Sequence, residues 1–123
     1  MSDQQLEFEI RFFEKLVQDK PDFVDAMIPL AAAYTRKGCL DRGLDMDRRL
    51  SRLLQNDPVV YYNLACSLAL TGNPDDAMDA LRRAVDLGYD DFEYLLKDSD
   101  LKSLRDHPQF QELLERKNKT RQT

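Results

Sequence analysis

The stretch that decides the fold is residues 57–90, DPVVYYNLACSLALTGNPDDAMDALRRAVDLGYD. It opens on Asp57-Pro58, a capping carboxylate followed by a proline that fits the first turn of a helix. Apolar residues then recur at the three- and four-residue intervals of a helix until Gly72, which can adopt the left-handed conformation that ends helices. Asn73-Pro74-Asp75-Asp76 repeats the opening and places acids at the positive end of a second helix. The stretch therefore predicts two helices joined at Gly72.

The same pattern occurs 34 residues earlier in the chain. Shifting the sequence by 34 places Leu30 on Leu64 and Gly38 on Gly72, and it places Asp57 on Asp91. The character of most positions, large or small, turn or apolar, is kept. Self-similarity at such a period is typical of a helical repeat protein, in which each unit is a helix-turn-helix.

At these positions the chain resembles the tetratricopeptide repeat (TPR) family. The residues that carry the resemblance in the second repeat are Tyr61, Leu64-Ala65, Leu68, Ala77, Leu81 and Ala84, and those in the first are Met27, Leu30-Ala31, Tyr34, Gly43 and Leu50. The resemblance implies an all-α fold. Antiparallel helix-turn-helix repeats would stack as a short right-handed TPR solenoid with N- and C-terminal capping helices.

The predicted organisation is a single domain over residues 1–117. Its parts are a half repeat or cap at 3–20, a repeat at 22–56, a repeat at 57–90 and a C-terminal cap at 91–117, followed by a flexible tail at 118–123. The C-terminal cap resembles the unit that closes many bacterial proteins of the TPR family, with Phe110, Leu113 and Leu114 on the covering helix. At the other end we expect Phe8, Phe12 and Leu16, with Ile10 as a further candidate, to cover the first exposed apolar face, because a repeat stack leaves its end faces bare.

Charge and composition exclude several classes of ligand. The net charge is −5, and four basic residues lie in the last eight positions, so the rest of the chain has 14 basic and 23 acidic side chains and a charge of −9. An acidic body repels phosphate backbones, and we expect no nucleic acid partner. No apolar run is long enough to span a membrane, and no signal peptide is visible, so we expect no membrane partner and a cytoplasmic protein. The two cysteines, Cys39 and Cys66, are then expected to be reduced thiols.

The resemblance to the TPR family also implies where a partner would bind. In that family the first helix of each pair lines a concave groove. The residues that we assign to the groove are Asp25, Ile28, Ala32, Thr35, Arg36, Val59, Tyr62, Asn63, Cys66, Ala69 and Leu70. Most of them are apolar, and the charges lie at the edges. A contiguous exposed apolar surface usually marks an interaction site.

From this surface we predict a non-catalytic protein–protein interaction module. It would bind an apolar or amphipathic segment of another protein or peptide in the groove. The first alternative is homo-oligomeric assembly, such as a homodimer, through the same surface. The second is a non-catalytic accessory subunit of an enzyme complex. A structural alternative also stays open, in which the helix that begins at Val59 is buried on every side.

Nothing in the sequence favours an enzyme. His107 is the only histidine and lies between Asp106 and Pro108, where we expect a solvated turn residue. No glycine-rich phosphate loop occurs. The acid clusters, such as Asp98-Ser99-Asp100, lack the spacing of a calcium-binding loop and are expected to be helix caps and solvated loops. We therefore predict no catalytic, cofactor-binding or metal-binding residues.

Overall fold

A computed structural model describes the backbone of residues 2–122 and the side chains of residues 2–116. Every regular element in that part of the chain is a helix, so the predicted all-α class is confirmed. The chain divides into two compact units, Met1–Gln55 and Asn56–Thr123.

The first unit contains three helices: α1 (Asp3–Asp19), α2 (Val24–Lys37) and α3 (Leu40–Leu53). Each packs against the next along the chain. The turn between α2 and α3 follows from Gly38, whose φ of 89° is the left-handed conformation that the sequence predicts there. At the narrow position of α3, Gly43 lies close to α2, because a Cβ at Gly43 would stand 2.9 Å from Oγ1 of Thr35.

Helix α1 begins with a capping box, in which Ser2 and Gln5 exchange hydrogen bonds of 3.2 Å between side chain and backbone. It buries Leu6, Ile10 and Val17. The prediction that Phe8 and Phe12 cover an end face is wrong, because their residues are 65% and 51% exposed. The helix has two apolar faces, and spacing alone did not show which of them packs on α2.

Helix α2 continues without interruption through Pro29. A proline inside a helix removes one backbone hydrogen bond and crowds the carbonyl four residues earlier, so the sequence predicts a kink or a wide turn there. No wide turn occurs, since all residues from Val24 to Lys37 are helical. Burial of Met27, Leu30 and Ala31 against the neighbouring helices stabilises the helical form.

The second unit contains α4 (Pro58–Leu70), α5 (Pro74–Asp86), the short α6 (Phe92–Lys97), a 3₁₀ helix (Ser99–Leu104) and α7 (Pro108–Gln122). Asp57 caps α4 as predicted, accepting hydrogen bonds from the N–H groups of Val59 and Val60 at 3.0 and 3.4 Å. Asn73 does not cap α5 in the same way. Its amide donates to the carbonyl oxygen of Thr71 at 3.3 Å and to its hydroxyl at 3.0 Å, so it stabilises the turn that precedes the helix.

The C-terminal helix α7 packs against α5. Phe110 and Leu113 are each 1% exposed, so two of the three residues predicted for the covering helix are buried, and Leu114 is half-buried. The backbone of α7 is helical through residue 122, which includes most of the predicted tail at 118–123. The side chains of that tail lie outside the described residues.

Among the described residues, the structure contains no helix that is both long enough and apolar enough to cross a membrane.

Candidate functional site

The residues assigned to the groove lie on α2 in the first unit and on α4 in the second. On α2 they form an open strip along the helix, with Asp25, Ile28, Ala32 and Arg36 exposed and Thr35 half-buried. Ile28, the largest apolar member, is 45% exposed. Arg36 donates a 2.9 Å hydrogen bond to Glu9 of α1. The strip therefore presents an aliphatic centre between two charged ends.

On α4 the assigned residues are mostly covered. Val59 and Asn63 are exposed, Leu70 is half-buried, and Tyr62, Cys66 and Ala69 are buried. The helix has almost no polar face, so burial on several sides is the expected outcome once neighbouring helices are present. Only two of the assigned positions on α4, Val59 and Asn63, are thus open to solvent.

The cover over α4 comes from the segment that contains α6 and the 3₁₀ helix. The hydroxyl of Tyr62 donates to Oδ2 of Asp98 over 2.6 Å, and Sγ of Cys66 lies 3.7 Å from the same oxygen. The other oxygen of Asp98, Oδ1, accepts the backbone N–H of Asp100 at 3.0 Å and so caps the 3₁₀ helix. One carboxylate therefore holds two buried side chains of α4 and one helix terminus.

Aromatic rings extend this cluster. The rings of Tyr62 and Tyr89 are stacked, with centroids 4.3 Å apart and planes inclined by 7°. Tyr94 lies 6.1 Å from Tyr62 at an angle of 50°, and its residue is 54% exposed. The cluster thus has a buried centre at Tyr62 and one exposed ring at its edge.

The buried donors keep their protons at neutral pH. Burial raises the pKa of the Cys66 thiol well above its usual value, and the nearby carboxylates of Asp98 and Asp100 raise it further. Burial and the hydrogen bond to Asp98 likewise raise the pKa of Tyr62. A protonated, buried thiol is a poor nucleophile, so Cys66 is suited to a structural role.

Cys66, Asp98 and Asp100 offer three atoms that are within 4.8 Å of one another and of types that bind metals. Zinc sites in proteins normally use four ligands, or three with water in the fourth position. Here both oxygens of Asp98 already accept hydrogen bonds from the protein. These hydrogen bonds account for the position of the Asp98 carboxylate between Tyr62 and the start of the 3₁₀ helix.

His107 is not the solvated turn residue that the sequence predicts. Its side chain is 17% exposed, and Nε2 lies 2.8 Å from Oδ1 of Asp75 at the start of α5. Its Nδ1 accepts the backbone N–H of Gln109 at 3.2 Å, so the ring caps α7. Both ring nitrogens are occupied, and neither is left to activate a nucleophile.

The sequence contains no signal for the pairing of Asp98 with Tyr62, because the two are 36 residues apart. Its one clue was the lack of a polar face on α4, which left a buried helix open as an alternative.

The fold and this geometry define the class of the protein as an all-helical module, in which Tyr62, Cys66 and Asp98 serve helix packing and capping. The chain matches the family described as the N-terminal domain of A/B hydrolase-like proteins over residues 33–123. Since this is well over half of the chain, the protein belongs to that family. No curated protein matches the chain.

This match overturns the assignment to the TPR family. The pattern that carried that assignment, small and large residues alternating along paired helices, meets the requirements for close packing of two helices. Those requirements are general to helical hairpins, so they identified the fold class and did not identify the family.

Proposed function

We propose that this chain is a non-catalytic accessory module that docks onto an α/β-hydrolase-type catalytic domain. The observation that carries the proposal is the match to an N-terminal domain of A/B hydrolase-like proteins over residues 33–123. A module described by its position beside a catalytic domain serves that domain most directly through contact. The proposed role corresponds to the accessory subunit of an enzyme complex, which is one of the alternatives that the sequence left open.

The geometry of the described residues supports a non-catalytic role. The single histidine, His107, has both ring nitrogens engaged in structural hydrogen bonds. The raised pKa of the buried Cys66 keeps its thiol protonated at neutral pH. A covalent hydrolase mechanism needs an activated nucleophile next to a free base, and these two residues do not supply one.

The exposed strip on α2 is the proposed docking surface. Ile28 would enter an apolar pocket of the catalytic domain, with Asp25 and Arg36 at the polar rim. Interfaces commonly have this pattern, in which a desolvated apolar centre supplies most of the affinity and surrounding charges set the orientation. Because Ile28 is already exposed in the free chain, docking would bury it without rearrangement of the helix.

In the first experiment, the purified chain is titrated against purified α/β-hydrolase-type domains from the same organism, and calorimetry measures the heat of binding. We expect one of them to bind at micromolar concentration, and Ile28→Asp to weaken binding at least tenfold. Leu53→Asp is the matched control, since Leu53 is exposed to a similar extent, 47%, on a different helix of the same unit. Equal weakening by both variants would reject the α2 strip.

A second measurement tests the non-catalytic role. The chain alone should hydrolyse p-nitrophenyl butyrate no faster than buffer does. The proposal would be overturned if esterase activity copurified with the chain and was also observed with a different ester as the substrate. Binding to no hydrolase domain at tens of micromolar would also contradict it.

Self-association is a second candidate, favoured by one observation on α1. Phe8 and Phe12 are exposed, and their rings stack with centroids 6.3 Å apart. Two such rings on one helix form an apolar patch that a second copy could cover through a two-fold contact. Light scattering from low to high micromolar concentration tests this, and a dimer that is lost in Phe8→Ser would support it. A constant monomer mass would exclude it.

A further inference from the structure

The first unit contains a cleft that is separate from the α2 strip and from the Tyr62 cluster. Its volume is about 340 Å³, near the lower end of the range for small-molecule sites. Side chains of α1, α2 and α3 and the turn at Pro21 line it. At about 30 Å³ per water molecule, the cleft has room for roughly ten waters, or for a ligand of similar size.

The floor of the cleft is apolar. Val17 of α1, Leu30 of α2 and Met46 of α3 line it, and all three are buried. One residue from each helix contributes, so the floor is set by the packing of the whole unit. Such a floor favours a ligand with an aliphatic or aromatic body.

The rim carries two opposite charges, Glu14 and Arg49, which differ in whether another group of the protein already pairs with them. The carboxylate of Glu14 accepts a 2.5 Å hydrogen bond from the hydroxyl of Tyr34, and Arg42 lies 3.9 Å from the same carboxylate. Burial and the bond to Glu14 raise the pKa of Tyr34 to about 12, so the hydroxyl stays a donor at neutral pH. The negative charge on the rim is therefore already compensated by the protein.

The positive charge on the rim has no such compensation. Arg49 donates from Nη2 to the backbone carbonyl of Pro21 at 2.9 Å. Within residues 2–116, no carboxylate forms an ion pair with it. A guanidinium has five N–H donors, and the carbonyl of Pro21 uses one of them. The half-buried Arg49 thus faces the cleft with donors to spare.

We infer that this cleft binds a small carboxylate with an apolar body, whose acid group pairs with Arg49 and whose body covers Val17, Leu30 and Met46. The pairing suits arginine because its planar fork matches the two oxygens of a carboxylate. A cationic ligand is disfavoured, since the only carboxylate on the rim is engaged by Tyr34 and Arg42. The carboxylate could belong to a free acid or to the C-terminus of a peptide that ends in an apolar residue.

The test is a titration of the ¹⁵N-labelled full chain with hexanoate, monitored by amide chemical shifts. We expect saturable shifts, confined to amides of α1, α2 and α3 around the cleft, with half-saturation at about 1 mM or below for so small a ligand. Hexanamide, which has the same shape without the charge, should bind at least fivefold more weakly. Equal binding of the two, or shifts spread over the second unit, would overturn the inference.

Two neighbouring arginines supply a matched pair of variants. Arg49→Gln should weaken hexanoate binding at least tenfold, whereas Arg48→Gln, an exposed arginine on the same helix, should leave it unchanged. Arg49→Lys should retain part of the affinity because it keeps the charge. If Arg49→Gln does not fold, Arg49→Lys and the comparison of hexanoate with hexanamide on the native chain still decide the matter.

A third arm distinguishes the two sources of the carboxylate. Acetyl-Gly-Leu is titrated with a free and with an amidated C-terminus. Tighter binding than hexanoate, lost on amidation, assigns the site to peptide ends. Weaker binding than hexanoate assigns it to free acids. Failure of every carboxylate to bind would overturn the inference and would leave the proposed docking of a hydrolase domain through Ile28 untouched.

Discussion

The hydroxyl of Tyr62 and the carboxylate of Asp98 are joined by a 2.6 Å hydrogen bond that spans 36 positions of the chain. The bond fastens α4 to the segment that contains α6 and the 3₁₀ helix. Because Asp98 also caps that 3₁₀ helix, one carboxylate couples the packing of a helix to the local structure of the segment that covers it.

Tyr62→Phe should lower the free energy of unfolding by about 1–2 kcal/mol, because it removes a hydrogen bond to a charged group and keeps the ring stacked on Tyr89. Urea unfolding followed by far-ultraviolet circular dichroism measures the change. Tyr61→Phe is the control, since Tyr61 is half-buried and its hydroxyl has no hydrogen bond among the described residues. The control should change stability by less than about 0.5 kcal/mol. Equal effects in the two variants would contradict a structural role for the bond.

Tyr62→Asp should unfold the second unit or destabilise it by about 3 kcal/mol or more, because it buries a second carboxylate beside Asp98. From the sequence alone we would expect this change to block a partner and leave the fold intact, since Tyr62 was assigned to an open groove. At 4% exposure the side chain belongs to the core. Amide spectra of the variant give the answer, and well-dispersed signals at native positions would show that Tyr62 is dispensable for folding.

Cys66 should react with thiol reagents far more slowly than Cys39 in the folded chain. Cys66 is buried and its pKa is raised by burial and by two carboxylates, whereas Cys39 is half-buried. Labelling with iodoacetamide at pH 8, followed by peptide mass analysis, should therefore modify Cys39 first and Cys66 only after urea is added. Similar rates for both thiols without denaturant would mean that the cover over α4 opens readily.

Stability should fall as the pH rises above about 9. Cys66 and Tyr62 have folded-state pKa values above their ordinary values of 9.0 and 10.0, and those of Tyr34 and Tyr89 are each raised to about 12. Between pH 9 and 12 the unfolded chain therefore loses protons that the folded chain retains, and the free energy of unfolding declines with rising pH. Their contribution is fully present below pH 9.

Urea midpoints measured from pH 7 to 11 test this decline. Tyr62→Phe should show a shallower fall than the native chain, because one of the groups with a raised pKa is gone. A midpoint that stays constant or rises above pH 9 would contradict the assignment of these protons.

Local features of the fold followed from the sequence because each has a local cause. The turn at Gly38 requires a positive φ, and the cap at Asp57 requires only a carboxylate just before Pro58, so both could be predicted without knowledge of distant residues. Burial of Phe110 and Leu113 followed from their spacing on one helix face after Pro108.

The candidate site could be predicted less well from the sequence than these local features could. On α2 four of the five assigned residues are exposed and Thr35 is half-buried, and the role of this strip in binding stays a proposal. On α4 spacing placed Tyr62 and Cys66 on the face opposite to the packing stripe, and it gave no means of knowing that Asp98 would cover that face. The prediction that His107 is a solvated turn residue was wrong for the same reason, since its partner Asp75 lies 32 residues away in the chain.

The sequence by itself determined that the chain forms helical hairpins and where several of its helices begin and end. Those properties depend on backbone preferences and on spacing within about one or two turns. The tertiary structure decided which apolar face is covered, whether at α1, where Phe8 and Phe12 stay exposed, or at α4, where Tyr62 is buried. That choice rests on contacts between residues far apart in the chain, and a repeating pattern of apolar residues fits either face equally well.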